Sequence, residues 1–212
     1  MKSVMFVFTF KVSANLNLSH CFIKLNFMNT ISIKSFFAAA IACGMLLSSA
    51  STWSAEPFSA PTQTKVDAYK KKLTDWAANP AIVAAVKEVN TKGGLVGMTN
   101  AKWNDLDDKD VVVKGFETSK AGLLIKKWEE DASINKLVLR DEKGNLVAAN
   151  SKPLIYNNSA RPLFVNTMKG QAWAANEIKP DPTTGIKSVQ VGAPVMDGGK
   201  VIGVIHAGIT AE

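Results

Sequence analysis

Gln190-Val191-Gly192-Ala193-Pro194-Val195-Met196-Asp197-Gly198-Gly199-Lys200-Val201-Ile202-Gly203-Val204-Ile205-His206-Ala207-Gly208-Ile209 is the stretch that decides the fold. Two runs rich in branched apolar residues flank Asp197-Gly198-Gly199-Lys200, and residues of that kind favour tight turns. The stretch therefore reads as two strands, from Lys187 to Val195 and from Val201 to Ile209, joined as an antiparallel hairpin. Side chains alternate along a strand, so His206 shares a face with Ile202 and Val204, while Val201, Gly203, Ile205 and Ala207 take the other.

Working back from this hairpin, Leu137-Val138-Leu139 and Leu146-Val147-Ala148 flank Asp141-Glu142-Lys143-Gly144, a second hairpin signal. Ala160 to Lys169 is compatible with a helix closed by Gly170. A further strand, Trp173 to Ile178, precedes a turn at Asp181-Pro182-Thr183-Thr184-Gly185. Five strands joined mainly by tight turns imply an antiparallel sheet. Towards the N-terminus, Val66, Tyr69, Leu73, Trp76 and Ala77 recur at helical spacing, and Asn79-Pro80 reads as an N-cap with proline at the first helical position of a second helix through Ile82, Val83, Val86 and Val89. Lys92-Gly93-Gly94 closes it. Ala121, Leu124, Ile125 and Trp128 mark another amphipathic helix, with Trp128 as a core residue. The expected architecture is α+β: a long N-terminal helix packed on a five-stranded antiparallel sheet.

Charge is unevenly distributed along the 212 residues. The whole chain has 25 Lys plus Arg against 18 Asp plus Glu, a formal +7, but residues 1–55 hold Lys2, Lys11, Lys24 and Lys34, no acidic residue, and both cysteines, Cys21 and Cys43. Lys34, the apolar run Phe36 to Leu47 and the small residues Ser48, Ser49 and Ala50 have the order of a secretory signal peptide, and the run is too short to span a bilayer. Cleavage after Ala50 places small residues at both subsites, whereas cleavage after Ala55 puts Trp53 at the minus-three subsite. The 27 residues before Met28 are accounted for by translation starting at Met28, or alternatively by an uncleaved anchor. The organisation expected is a signal region at 1–55, a linker at 56–64 and one domain at 65–212, exported to the periplasm. What remains after residue 55 has 21 basic and 18 acidic residues and no cysteine. Export and a residual +3 argue against nucleic acid as a partner.

Chemistry-bearing patterns are few. Residues Leu95 to Glu117 read as an irregular acidic segment, and an EF-hand loop begun at Asp105 would place Lys109 and Phe116 where ligands are required, so its aspartates are read as loop and capping residues. After residue 55 there is one histidine and no cysteine, which gives no structural zinc site. A nucleophile elbow, a phosphate loop and a paired catalytic histidine are all missing, so neither an enzyme nor a cofactor is expected.

Taken in order, Trp76-Ala77-x-Asn79-Pro80, Leu137-Val138-Leu139-x-Asp141-x-x-Gly144, Asp181-x-x-Thr184-Gly185 and Gln190-Val191-x-x-Pro194-Val195-x-Asp197-x-Gly199-Lys200-Val201-Ile202-Gly203 resemble the single Cache (PAS-like, PDC) extracellular sensor domains of bacterial chemoreceptors and histidine kinases. The resemblance runs from about Lys65 to Ile209. It implies a sheet with one face roofed by a short helix and loop, enclosing a small organic acid or amino acid. It also implies a membrane receptor or kinase as signalling partner. The family's ligand loop, which carries aromatic and basic residues, corresponds here to Tyr156-Asn157-Asn158-Ser159-Ala160-Arg161-Pro162-Leu163-Phe164, with Leu163 where the family has lysine.

The ligand-binding residues expected on this basis are Tyr156, Arg161, Phe164, Trp173 and His206. Arginine suits a carboxylate because its planar fork makes two parallel bonds, and Arg161 either takes over from the missing lysine or is a solvated surface residue. Arg140, beside the first hairpin turn, is expected to pair with Asp141 or Glu142. Because the chain runs into Thr210-Ala211-Glu212 after the last strand, the expectation is a free-standing module that acts with a membrane partner. The alternative is a structural or interaction protein that keeps the scaffold without ligand binding, for which Leu163 is the supporting residue.

Overall fold

The computed structural model describes residues 58–211; the signal region read at 1–55 lies outside them. Helix α1 (Ala60–Ala77) starts within the expected linker, because Ser59 caps it by accepting from the Thr62 amide at 3.4 Å. After one turn of chain, α2 (Pro80–Lys92) begins where Asn79 accepts from the Ala81 amide at 2.9 Å. The segment read as irregular instead forms α3 (Asn100–Asn104) and α4 (Val111–Thr118), capped by Thr99 and Asp110, and α5 (Lys120–Trp128) follows from Ser119. Asp110 is thus a cap, accepting from Val112 at 2.8 Å. What periodicity missed is that Trp103 and Val113, one from each short helix, are both fully buried against Tyr156, Leu146 and Val138. Two short capped helices can be held by single anchors too far apart to register as a repeat.

The sheet comprises β1 (Ile134–Asp141), β2 (Leu146–Ala149), β3 (Trp173–Ala174), β4 (Lys179–Pro180), β5 (Lys187–Asp197) and β6 (Lys200–Thr210), in the order β2-β1-β6-β5-β3 with β4 also on β5. Every pairing is antiparallel. The expected third strand, Trp173 to Ile178, is confined to Trp173–Ala174, where Trp173 pairs with Gly192, and Lys179–Pro180 just beyond it pairs with β5 through Lys179 and Ser188, giving six strands among the described residues rather than five. At the β1–β2 turn, Gly144 has φ of 81° and its amide donates to Asp141 O at 3.1 Å, a backbone state that a residue with a Cβ adopts at a cost. Helix α6 (Pro162–Thr167) lies within the stretch expected to be helical.

One face of the sheet is closed by α1 and α2. Leu73, Ala77, Ile82 and Val86 of the helices pack on Leu137, Leu139, Val191, Ala193, Ile205 and Ala207, all at 2% exposure or less. Each large apolar side chain so buried contributes about 2 kcal/mol. Alternation along β6 holds from Val204 to Ile209 but not at Ile202. Val195 pairs with Gly203 and Met196 with Val201, so Ile202 is the extra residue of a bulge and joins the helix-side core instead of sharing a face with His206. Trp128 is half-buried and stacks flat on Trp76 at a centroid distance of 4.6 Å, at the edge of this core. Among the described residues no helix is long and apolar enough to cross a membrane.

Candidate functional site

The opposite face of the sheet is not packed shut. Pro194, Gly192 and Gln190 of β5, Val204, His206 and Gly208 of β6, and Lys136, Val138 and Arg140 of β1 fall on it by alternation. Helix α6 and the loop over residues 150–161 form a roof. Leu163 and Phe164 pack down on Val204, with Trp173 and Met168 beside them. The roof sits close because β5 has a glycine beneath it: a Cβ at Gly192 would lie 2.6 Å from Thr167 Oγ1. Between roof and floor is a cavity of about 540 Å³. Its wall includes Arg140, His206, Gln190 and Lys136 from the floor, Leu154, Asn158, Arg161 and Leu163 from the roof, Trp173, and a rim formed by residues 177–183.

Arg140 is the most consequential of these residues. It is 2% exposed and, against expectation, forms no ion pair within 4 Å among the described residues. Adjacent residues on a strand point to opposite faces, so Arg140 turns to the cavity side while Asp141 turns away and closes the hairpin, accepting from the Lys143 and Asn145 amides at 2.9 and 2.7 Å. The Arg140 guanidinium donates through Nη1 to Tyr156 O at 2.5 Å, through Nη2 to Ile155 O at 3.1 Å, and through Nε to His206 Nε2 at 3.4 Å. It therefore ties the floor to the roof. Burial pulls its pKa down to about 9, with Asp141 and the Tyr156 hydroxyl opposing, which leaves it charged at neutral pH.

His206 is partly open, and its Nε2 also lies 3.4 Å from Asn158 Nδ2. Burial first, and the Arg140 charge second, pull the imidazole down to about 3, so the ring is neutral over the physiological range. The acidic groups of the wall are at the rim and engaged. Glu177 is 2.5 Å from Lys179 Nζ, and Asp181 accepts from the Thr183 amide and hydroxyl. Burial disfavours the ionised form of Asp181, but the Thr183 and Thr184 bonds outweigh it and hold the carboxyl below its ordinary range. Lys136 reaches across to the same rim, donating to Thr183 Oγ1 at 2.8 Å.

Of the residues expected from sequence, the structure brings Arg161, Trp173 and His206 to the cavity wall. Tyr156 and Phe164 stand outside it. The Tyr156 ring packs with Trp103 and Phe116, and its hydroxyl accepts from the Leu95 amide at 2.9 Å; only its carbonyl serves the site, by holding Arg140. Phe164 is used in seating α6 on the sheet. Leu163 does line the cavity, as an apolar roof residue. Arg140, Asn158, Gln190 and Lys136 are wall residues that sequence reasoning passed over. Strand alternation alone places Lys136, Val138 and Arg140 opposite Leu137 and Leu139, and that signal was sufficient to find Arg140.

A second cavity of about 430 Å³ between α2, α4 and α5 is lined by apolar residues such as Val89, Val112, Phe116 and Val147, with Glu88 and Lys120 the charged groups in its wall. It lacks the convergent buried polar groups of the first. Among the described residues no three His, Cys, Asp or Glu side chains gather as metal ligands.

A sheet with helices on one face and a cavity under a short helix and loop on the other is the layout that the Cache resemblance implies. No family model and no curated protein matches the chain. Solved structures that it resembles include the sensor domain of the histidine kinase DctB of V. cholerae, at 17% identity and a TM-score of 0.37, covering 71% of this chain and 57% of that one. Others are the sensory domain of the Campylobacter jejuni chemoreceptor Tlp3 with isoleucine bound (13% identity, TM-score 0.37, covering 72% and 64%) and the ligand-binding domain of the Pseudomonas fluorescens chemoreceptor CtaA with L-alanine (13%, TM-score 0.34, 71% and 56%). The chain thus spans less than two thirds of the length of each.

Proposed function

We propose that this chain is an exported, periplasmic sensor module of the single Cache type, binding a small organic acid or amino acid and presenting the bound state to a membrane receptor or kinase. The observation that carries this reading is the buried Arg140, without an ion-pair partner among the described residues, in the floor of a cavity of about 540 Å³ that also holds His206, Gln190 and Trp173. A buried charge without a counter-ion is costly, and an enclosed, largely apolar pocket with a few convergent polar groups is the usual form of a small-molecule site. Arg161, exposed at the cavity edge, is placed to meet a ligand on entry. Leu163 removes the family's lysine from the roof, and Arg140 supplies a cation from the floor instead. Export is supported by the pattern of residues 34–55.

A thermal-shift screen of carboxylates and amino acids tests the reading directly, on protein purified after expression of the full chain. A ligand at 100 times its dissociation constant stabilises by about 2.7 kcal/mol. Melting curves that no carboxylate or amino acid moves would sink the proposal. The mass of the purified protein tests the export reading: an N-terminus at Ser51 is expected, and an intact N-terminus after expression in a Gram-negative host would contradict it.

A further inference from the structure

Resting on that reading, we infer that the cavity takes small carboxylates that carry no ammonium group, bound by the Nδ1–H of His206, and discriminates against their α-amino counterparts. The argument begins at the other ring nitrogen. His206 Nε2 has two neighbours, Arg140 Nε and Asn158 Nδ2, each at 3.4 Å. A guanidinium donates and never accepts, so Nε2 is an acceptor and the single proton of the neutral ring is on Nδ1. The Asn158 amide fits the same assignment, donating through Nδ2. The cavity-lining histidine is thereby fixed as a donor. A cation hydrogen-bonded to Nε2 draws electron density from the ring and strengthens the opposite N–H, the cooperative effect found in hydrogen-bond chains. Arg140 thus acts on the ligand partly through His206, while its own Nη1 and Nη2 each keep one N–H not committed to a roof carbonyl.

An ammonium group has no anionic counterpart in the same space. Beside Arg140, His206 and Asn158 the wall offers Gln190, Trp173 and Val138, none of them anionic. Both acidic groups of the wall belong to the rim, where Lys179 holds Glu177 and the 181–185 turn holds Asp181. A zwitterion seated with its carboxylate on His206 would bring its ammonium next to a buried guanidinium with only uncharged acceptors, Asn158 Oδ1 (buried and without a partner among the described residues) and the Gln190 amide, to receive it, and these do not cancel the repulsion between like charges. The repulsion acts as selection against the amino acid.

Isothermal titration with matched pairs that differ only in the amine measures this: propionate against L-alanine, isovalerate against L-valine, succinate against L-aspartate. At least one acid is expected to bind tenfold or more tightly than its amino partner. An amino acid that binds as well as its matched acid overturns this inference and leaves the sensor reading standing; silence from all six overturns both. The tautomer is read independently from the ¹⁵N shifts of His206 in the unliganded protein at pH 7, where a proton on Nε2 rather than Nδ1 would also overturn the inference. His206→Leu removes the donor and is expected to cost tenfold or more in acid affinity. Asn158→Asp, nearly isosteric, supplies a carboxylate to Arg140 and is expected to lower acid affinity and narrow the gap between acid and amino acid.

Discussion

The two faces of the sheet differ in what their strands put on them. Towards α1 and α2, β1, β5 and β6 present Leu137, Leu139, Val191, Ala193, Ile205 and Ala207 in an apolar layer at 0% exposure. Towards the roof the same three strands present Lys136, Arg140, Gln190, His206 and two glycines, Gly192 and Gly208. Alternation therefore separates stability from chemistry within single strands. The polar face costs stability, since a guanidinium is held away from water and an imidazole is partly so, and the apolar face offsets that cost. Over the polar face the roof is pinned by Arg140 to two carbonyls and by Leu163 and Phe164 to Val204, and Trp103, Asn100 and the β1–β2 turn hold the 150–161 loop from its outer side.

The sharpest way to break the contrast is to cut the same amount from each face. Leu137→Ala removes a fully buried side chain from the helix side, and urea unfolding is expected to report a loss of about 2–5 kcal/mol. Gln190→Ala on the cavity side is expected to cost less than about 1 kcal/mol. Similar losses from the two would mean that the cavity face packs like the other one.

A second difference is in pH response. The apolar layer of Leu137, Leu139, Val191, Ala193, Ile205 and Ala207 has nothing to titrate, whereas His206 is held near 3 in the folded protein against an ordinary value of about 6.5. Because the folded pKa lies below the unfolded one, the unfolded chain binds the proton first. Stability is fully present above pH 6.5 and is lost as pH falls towards 3, with a slope approaching about 1.4 kcal/mol per unit. The difference between the wild type and His206→Gln isolates this contribution from that of the carboxyl groups. Curves for the two that stay parallel from pH 7 to 4 would show that the ring is not desolvated in the fold.

Much of this was legible in the chain. Both hairpins, the N-terminal helices and the α+β class follow from period and turn chemistry, and β6 alternation places His206 correctly although a bulge, invisible in sequence, moves Ile202 to the other side. Arg140 was misread because it was judged by its neighbours along the chain, Asp141 and Glu142. On a strand those neighbours face away, and the partners that matter, the carbonyls of Ile155 and Tyr156, arrive from a loop sixteen residues later at most. Tyr156 shows the complementary error. Its position in the ligand loop suggested a wall residue, but the Leu95 amide fixes its hydroxyl in the side core, and no local pattern encodes a contact between segments so far apart.

A smaller effect is expected where roof and floor touch. Gly192→Ala places a methyl 2.6 Å from Thr167 Oγ1, so α6 must lift or the strand must shift. Overpacking of this kind costs about 1–2 kcal/mol. Hydrogen exchange is expected to accelerate in residues 162–167 and not in α1 or α2, and uniform acceleration would refute the separation of the two faces.

The smallest effect is expected at the edge of the cavity, and it separates Arg161, which the sequence offers as the carboxylate's cation, from Arg140, which the sequence pairs with Asp141 or Glu142. Arg161 is exposed, makes no capping bond at the start of α6, and has solvent to stabilise its charge in the free protein. Truncating it to alanine is expected to change unfolding free energy by no more than about 0.5 kcal/mol and ligand affinity by less than about threefold, because an exposed charge gains little from pairing in high dielectric. Arg140→Gln keeps a donor but removes the charge from the floor, so it is expected to abolish the thermal shift while leaving the apolar face intact, visible as retained cooperativity in unfolding. Were Arg161→Ala to abolish the shift and Arg140→Gln to preserve it, the anchor would be in the roof, and the ligand would sit against the loop that the family uses rather than against the sheet.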